Sequence, residues 1–266
     1  MPAAAFSVHA LAALLQRAAF VITLCAATGA SSAAHAWEWN FGLWKSVSGS
    51  GTIKSETRAV SGFTGISLAV NSLVEIQQGD TESVTIETDD NLLPLIETVV
   101  ENGTLQIRPT PRNTSFTTRK INIIVQVKTV DRLAIAGAGD MHAKSLKVSA
   151  LKTSIAGSGD IRIKSLDAGA LTVKIAGSGD FAAAGRAASM DARIAGSGDI
   201  KAGNLDTKTV EVSIAGSGDA TVWARDSLKV KVAGSGDVKY YGDAAVTKSI
   251  GGSGSVKRLG AAPAGS

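Results

Sequence analysis

IAGSGD occupies residues 155–160, 175–180, 194–199 and 214–219, and near copies extend this phrase into an array of seven. The near copies are IAGAGD at 135–140, VAGSGD at 232–237 and IGGSGS at 250–255. Their first residues are separated by 20, 20, 19, 20, 18 and 18 positions. A repeat of this period predicts an array in which each unit buries its apolar face against its neighbours.

The residues that precede each turn alternate between an apolar and a polar side. Leu151, Thr153 and Ile155 share one side of the chain, whereas Lys152 and Ser154 share the other. The equivalent inward residues of later copies are Leu171, Val173 and Ile175; Met190, Ala192 and Ile194; Val210, Val212 and Ile214; and Leu228, Val230 and Val232. The residues after the turns are also mostly apolar: Met141, Ile161, Phe181, Ile200, Ala220, Val238 and Val256. A period of two with one apolar face is typical of a half-buried strand.

Each repeat is therefore predicted to contain two strands separated by the AGSG turn and by a second turn. The second turns are placed near Ser145-Leu146, Ser165-Leu166, Asn204-Leu205 and Ser227-Leu228. Because stacked strands lie about 4.8 Å apart, the apolar positions would form continuous internal ladders. The sequence thus predicts an all-β fold, a parallel β-helix or solenoid. An up-and-down barrel is the alternative, although only stacking requires identical turns at a fixed period.

The last repeat differs from the others because its inward series reads Val246, Lys248 and Ile250. A charge in that series predicts that the array ends here, with Lys248 on an exposed end face. Such a polar stop prevents the terminal edge from pairing with another chain.

The region before the array is rich in β-branched residues. Turn residues Gly79-Asp80, Asp89-Asp90-Asn91 and Asn102-Gly103 separate its candidate strands. The candidate strands are Leu73–Gln77, Val84–Glu87, Thr104–Arg108 and Ile121–Val127. We expect Leu92–Val100 to form a short helix or a bulging loop.

The first 36 residues are typical of a secretory signal. Arg17 precedes an apolar run, and Ala34-His35-Ala36 is an A-x-A cleavage pattern. A membrane helix is the alternative for this segment, but its apolar run is short. The domain prediction is a signal at 1–36, an aromatic start and Gly/Ser linker at 37–57, a β-helical domain at 58–256 and a flexible tail at 257–266. The protein is expected to be exported: periplasmic, outer-membrane-associated or extracellular.

The single cysteine, Cys25, lies in the signal and follows Leu24, where a lipid-attachment signal requires a small residue. The mature chain would lack disulfides, so its stability must come from core burial and regular hydrogen bonding. Removing Arg17 leaves 26 scattered basic residues against 23 acidic ones. This balance indicates no nucleic-acid partner. No later stretch has the roughly 20 apolar residues of a transmembrane helix.

Two passages resemble the family known as putative auto-transporter adhesin, head GIN domain, found in bacterial envelope proteins. One is RAVSGFTGI at 58–66 followed by VEIQQGD at 74–80, and the other is the train of GSGD turns. Together they cover roughly residues 58–256. The resemblance implies a right-handed β-helical fold and adhesion, and it supplies no catalytic residues.

The aspartates that close the turns form the candidate binding column: Asp140, Asp160, Asp180, Asp199, Asp219 and Asp237. In the structural interpretation each carboxylate accepts hydrogen bonds from turn N–H groups. In the functional interpretation the column binds cations such as Ca²⁺. The turn glycines, such as Gly157 and Gly159, are expected to supply backbone angles that a Cβ would forbid. We favour the structural interpretation and predict no metal or cofactor.

Catalytic residues are not predicted either. His142 is the only histidine outside the signal, so neither a Ser-His-Asp triad nor a His/Cys zinc site can be assembled. The predicted function is a non-enzymatic envelope or surface protein that binds through the faces of its solenoid. Its partner is unknown, and envelope polysaccharides and surface proteins are the candidates.

The alternative is a polysaccharide lyase or hydrolase, which would use carboxylates with Arg or Lys on an outward face. One outward column contains Lys174, Arg193 and Lys231, and the next contains Asp191, Glu211 and Lys229. A separate aromatic cluster follows the cleavage site. It could cap the first coil, stack on sugars or rest at a membrane surface, and it consists of Trp37, Trp39, Phe41 and Trp44.

Overall fold

The computed structural model describes residues 45–263, which form β-strands and one short 3₁₀ helix. The predicted signal and the aromatic cluster of residues 37–44 lie outside the described residues. The N-terminal region contains β1 (Lys45–Ser48), β2 (Ile53–Arg58), β3 (Gly65–Leu68), β4 (Leu73–Gln78), β5 (Ser83–Asp89), the 3₁₀ helix (Leu93–Leu95), β6 (Ile96–Glu101), β7 (Thr104–Pro109), β8 (Thr114–Thr117) and β9 (Asn122–Val127). The repeat array contains β10 (Arg132–Gly137), β11 (Asp140–Ala143), β12 (Leu146–Gly157), β13 (Ile161–Gly177), β14 (Phe181–Gly196), β15 (Ile200–Gly216), β16 (Ala220–Gly234), β17 (Val238–Tyr241), β18 (Ala245–Gly252) and β19 (Val256–Gly260).

Coils of the repeat array stack with equivalent residues side by side. Leu151 pairs with Leu171 and Ile155 with Ile175, both in parallel register. The same parallel pairing continues from β13 through β14, β15 and β16 to β18. This confirms the parallel β-solenoid and excludes an up-and-down arrangement of antiparallel strands. The right hand of the coil stays a prediction.

The internal ladders are those that the alternation predicts. Ile155, Ile175, Ile194 and Ile214 are each at most 2% exposed. Thr153 is also buried, and its hydroxyl donates to the carbonyl oxygen of Thr172 at 3.3 Å. The core therefore runs through the whole stack, and its burial is the main stabilising contribution in a chain without disulfides among its described residues.

Corners of the coil interrupt the alternation without interrupting the strand. In β13 two consecutive exposed residues occur twice, at Lys164-Ser165 and at Gly169-Ala170. Each such pair marks a corner, so the β13 coil has three sides in addition to the AGSG turn. The predicted second turn is thus a corner inside a continuous strand in β13, β15 and β16, whereas Ser145 lies between β11 and β12. At the corner of β13 the pairing stops at Ile163 and resumes at Leu166 with a shift in register, and the backbone remains extended between them.

The N-terminal region adds two coils whose spatial order differs from their order in the chain. Ile66 of β3 pairs with Leu133 of β10 on one side and with Leu105 of β7 on the other. Similarly, β4 lies between β11 and β9. The β3–β4 coil is therefore enclosed by two segments that follow it in the chain.

Antiparallel strands cover the outer coil of this region. β5 pairs with β9 and β2, and β6 pairs with β7. Leu92–Val100, predicted to be a short helix or a loop, contains the 3₁₀ helix and most of β6. The β6–β7 hairpin explains the strand, because Asn102 and Gly103 have φ values of 51° and 71° as a two-residue hairpin turn requires. The predicted turn at Asn102-Gly103 is confirmed.

Several further strands occupy ranges that the sequence pattern did not mark as strands, and β2 and β19 are two of them. β2 lies in the range given to the Gly/Ser linker, and β19 lies in the range given to a flexible tail. Both join the sheet by backbone pairing, which requires no apolar alternation. Lys248 is exposed and pairs with Val230 at the last coil, as predicted for an end face. Among the described residues, no helix has the length and hydrophobicity needed to cross a membrane.

Candidate functional site

The repeated turn uses its two glycines for different reasons. Gly177 has a φ of +131°, a conformation that favours glycine. Gly179 does not have positive φ, but a Cβ added there would lie 2.1 Å from the carbonyl oxygen of Gly159 in the preceding coil. The expectation that both positions supply special backbone angles is therefore correct for the first glycine. The second glycine is required because neighbouring turns approach too closely for a side chain.

Aspartates of the turns form a hydrogen-bonded ladder between coils. Oδ1 of Asp160 accepts the backbone N–H of Asp180 at 2.8 Å, and Oδ1 of Asp180 accepts that of Asp199 at 3.0 Å. The same bond links Asp140 to Asp160, Asp199 to Asp219 and Asp219 to Asp237. At the last coil, Asp237 accepts both the N–H and the hydroxyl of Ser255. The carboxylates thus accept turn N–H groups, and each bond comes from the next coil.

Nearby cations compensate part of the charge of this aspartate ladder. Oδ2 of Asp160 lies 2.6 Å from Arg162, and Oδ2 of Asp180 lies 2.6 Å from Nζ of Lys201. Burial is the largest influence on Asp180 and raises its pKa. The hydrogen bonds from Lys201 and Asp199, together with the charges of Lys201 and Arg162, outweigh burial and leave the pKa below its ordinary value. Hydrogen bonds from Ser255 lower the pKa of Asp237. Among residues 45–263, no group of three or more His, Cys, Asp or Glu side chains is arranged to hold a metal ion.

A groove on the outer surface was not predicted from the sequence. It has a volume of about 600 Å³, and Ala182, Ala183 and Ala184 are among the residues that line it. One outward column that crosses it runs in register through Glu75, His142, Arg162, Ala182 and Lys201. A second lining set contains Gln77, Lys144, Lys164, Ala184 and Asn204. We call this feature the alanine groove.

Small residues in one shortened coil create the alanine groove. Ala182 stands between Arg162 and Lys201 in its column, so the long side chains on either side overhang a gap. The repeat from residue 175 to 194 is 19 residues long, and the β13–β14 register shifts between Ile163 and Leu166. Gly185 absorbs the shift, since a Cβ there would lie 2.2 Å from the carbonyl oxygen of Leu166. The three alanines and the shorter step are the sequence signals that could have indicated the groove.

Charges in the alanine groove are of two kinds. Asp160 fixes Arg162, which also contacts Nε2 of His142 at 3.2 Å, and Asp180 fixes Lys201. Lys144 and Lys164 are exposed, and neither has an ion pair with any described residue. Glu75 is the single carboxylate that lines the groove. The groove can therefore offer two free ammonium groups and two anchored cations to a ligand.

Comparison with known proteins bears on what such a surface does. The family model described as putative auto-transporter adhesin, head GIN domain, matches residues 62–244. The chain belongs to this family. The resemblance drawn from the two sequence passages is confirmed. A comparison with curated proteins finds no match.

Solved structures similar to this head GIN domain include a putative adhesin from Bacteroides fragilis, with 28% identity and a TM-score of 0.76. That match covers 80% of this chain and 100% of the other. A putative lipid binding protein from Parabacteroides distasonis has 27% identity and a TM-score of 0.67, with 81% and 100% covered. A putative adhesin from the same organism, at 24% identity, TM-score 0.65 and coverage of 81% and 100%, supports the fold alone.

The outward columns proposed for an enzyme lie on another side of the head GIN domain. Residues 154, 174, 193, 213 and 231 are in register, as are 172, 191, 211 and 229. Asp191 pairs with Arg193 at 2.9 Å, while Glu211 lies 3.2 Å from Lys229 and 3.4 Å from Lys231. The hydrogen bond from Lys229 is the main cause that lowers the pKa of Glu211. A carboxyl group with a lowered pKa is a poor general acid, so this surface does not favour glycoside hydrolysis.

Proposed function

We propose that this head GIN domain is a non-catalytic, exported binding protein of the cell envelope that holds an extended ligand in the alanine groove. The groove crosses five stacked coils, and this single observation carries the proposal. Four intervals of roughly 4.8 Å give it a length of about 19 Å, which is long enough for several units of a polymer. Its volume of about 600 Å³ is in the range of ligand-binding clefts.

The absence of catalysis is supported by how the described side chains are used. On another outward surface, Asp191 and Glu211 are held in ion pairs. The turn aspartates have their Oδ1 atoms occupied by backbone N–H groups. A binding role requires only regularly spaced contact groups, which a stacked fold supplies on each coil. The family to which the chain belongs is described as a putative auto-transporter adhesin, in agreement with this role.

Export is the second part of the proposal, and it rests on the A-x-A pattern before residue 37. The mature N-terminus should be Trp37, without a lipid anchor. N-terminal sequencing of protein recovered outside the cytoplasm tests this. Full-length protein confined to the cytoplasm would contradict it.

The binding proposal is tested with a panel of polysaccharides that is scored for both retention and cleavage. Ala182→Trp should fill the groove and abolish retention, whereas Ser213→Trp, on the other outward surface, should leave it unchanged. Both variants should melt like the wild type, because each side chain points outward. Release of reducing ends that is lost in Glu211→Gln would instead establish the enzymatic alternative. Retention that survives Ala182→Trp would place the binding surface elsewhere.

A further inference from the structure

We infer that the alanine groove selects acidic polysaccharides, with Lys144 and Lys164 as the residues that bind their anionic groups. This inference rests on the proposed function, because it names the ligand class of the same groove. Sulfate, phosphate and uronate carboxylate groups share the required chemistry. The supporting observation is that the cations around the groove differ in their ion pairs. Arg162 and Lys201 each have an aspartate partner, whereas Lys144 and Lys164 have none among the described residues.

Arg162 and Lys201 are positioned rather than free. Each is fixed by one oxygen of a ladder aspartate, at 2.6 Å in both pairs. The other oxygen of each aspartate accepts a backbone N–H from the next coil, so the aspartates cannot move with a ligand. These two cations are therefore largely neutralised and form a rigid wall. They orient a ligand but contribute little net charge.

Lys144 and Lys164 stand in the other wall, one coil apart. They directly follow Ala143 and Ile163, which pair in the β11–β13 ladder, so their Cα atoms are about 5 Å apart. Two ammonium groups at this spacing repel each other, and no described carboxylate lies between them as an ion-pair partner. A bound anionic group would relieve the repulsion and bridge both side chains. This pair is the unsatisfied element of the groove.

A polymer fits the groove better than a lipid does. Alanine and isoleucine residues line part of the groove, and charged or amide groups such as Gln77, Lys201 and Asn204 line the rest. An acyl chain requires an apolar enclosure, whereas the pyranose ring of a sugar can pack on alanine and on the aliphatic stems of lysines. The charged groups also recur coil by coil along the stack. That repetition suits a ligand whose anionic groups recur along a chain.

The test uses polygalacturonate as the acidic probe and dextran as the neutral one, with the full mature protein. Lys144→Glu combined with Lys164→Glu should weaken polygalacturonate binding by about a hundredfold, since two attractive contacts become repulsive. Lys152→Glu combined with Lys174→Glu is the matched control. It makes the same change in net charge on exposed lysines of another surface, and it should change the affinity by less than about threefold.

Several outcomes would overturn the inference, and they can be told apart from failure of the proposed function. Equal losses in the two double variants would show that only net charge matters. Binding of dextran that is blocked by Ala182→Trp but unaffected at Lys144 and Lys164 would keep the binding role and reject acidic selectivity. Phosphatidylglycerol vesicles bound through the two lysines, with no retention of polygalacturonate, would replace the polymer by a lipid surface. Retention of neither polymer nor vesicle would reject the binding function itself.

Discussion

The repeat array and the N-terminal region hold neighbouring coils together by different means. In the array, the same hydrogen bond recurs at every turn. The backbone N–H of Asp160 donates to Oδ1 of Asp140 at 2.9 Å, and that of Asp180 donates to Oδ1 of Asp160 at 2.8 Å. In the N-terminal region, individual residues serve several segments at once. Asp89, only 3% exposed, accepts the N–H of Gly51 at 2.6 Å and the hydroxyl of Thr118.

Arg58 illustrates the same concentration of contacts. Its guanidinium donates to the carbonyl oxygens of Leu93 and Ile96 and to the hydroxyl of Thr98. These bonds attach β2 to the 3₁₀ helix and to β6. The array thus distributes its stability over many equivalent contacts, whereas the N-terminal region depends on a few residues. Polar substitutions should therefore be tolerated better in the array, unless they obstruct stacking itself.

The largest effect is expected where stacking is obstructed. Gly179→Val should destabilise the protein by at least about 3 kcal/mol, because even its Cβ would lie 2.1 Å from the carbonyl oxygen of Gly159. Gly79→Val is the matched control, since a Cβ at Gly79 meets no atom within 4 Å and Gly79 does not have positive φ. Chemical denaturation of both variants checks the prediction. Equal stability of the two variants would contradict the close-approach explanation.

The next effect concerns the N-terminal region. Asp89→Ala should cost about 3 kcal/mol, because hydrogen bonds to a buried charged group are worth about 1.5–3 kcal/mol each. It should also release the segment before β2, which limited proteolysis followed by mass spectrometry would detect. Asp90→Ala is the control, because Asp90 bonds to Ser50 and Lys54 at the surface. A release of the segment in both variants, or in neither, would refute the role given to Asp89.

A smaller effect is expected from an aspartate of the array. Asp180→Asn should cost about 1 kcal/mol, since the amide oxygen can still accept the N–H of Asp199 and only the ion pair with Lys201 is lost. Equilibrium unfolding measures this cost. A loss as large as that of Asp89→Ala would show that the array depends on single contacts too.

Calcium is not expected to bind to the aspartate ladder. Wild-type melting curves should coincide in calcium and in chelator, because the ladder oxygens are occupied by N–H groups and cations. A calcium-dependent rise of the melting temperature that Asp180→Asn reduces would make the ladder a cation site.

The smallest effect is the response to acid. The pKa values of Asp180 and Asp237 lie below the ordinary value of 3.8. A carboxyl group with a lowered folded-state pKa stabilises the protein above its unfolded-state pKa and loses that contribution as pH falls through the folded value. Stability should thus be constant above about pH 5 and decline below about pH 4. Asp180→Asn combined with Asp237→Asn should flatten the decline, and an unchanged profile would contradict it.

How much could be predicted from the sequence depends on whether a feature repeats. The coils, their inward residues and the exposed Lys248 follow from glycine spacing and alternation, which are local signals. The three alanines and the 19-residue step could have indicated the middle of the alanine groove, but its full outline could not be predicted, because it requires Glu75 to lie beside His142, 67 positions away. The inter-coil direction of the aspartate bonds and the antiparallel partners of β5 are also properties of stacking order. Nothing in a local pattern encodes that order.

The position of the β3–β4 coil has a consequence for how the chain matures. Both flanking partners of this coil come later in the chain, one from β7 and β9 and the other from β10 and β11. A chain delivered from its N-terminus cannot flank this coil on its first side until β9 has emerged at Val127, or on both sides until β11 has emerged at Ala143. From β12 onward, by contrast, each new coil can pair with a preceding coil that has already folded. We therefore expect one slow, non-local nucleation event followed by rapid one-directional zippering along the remaining coils.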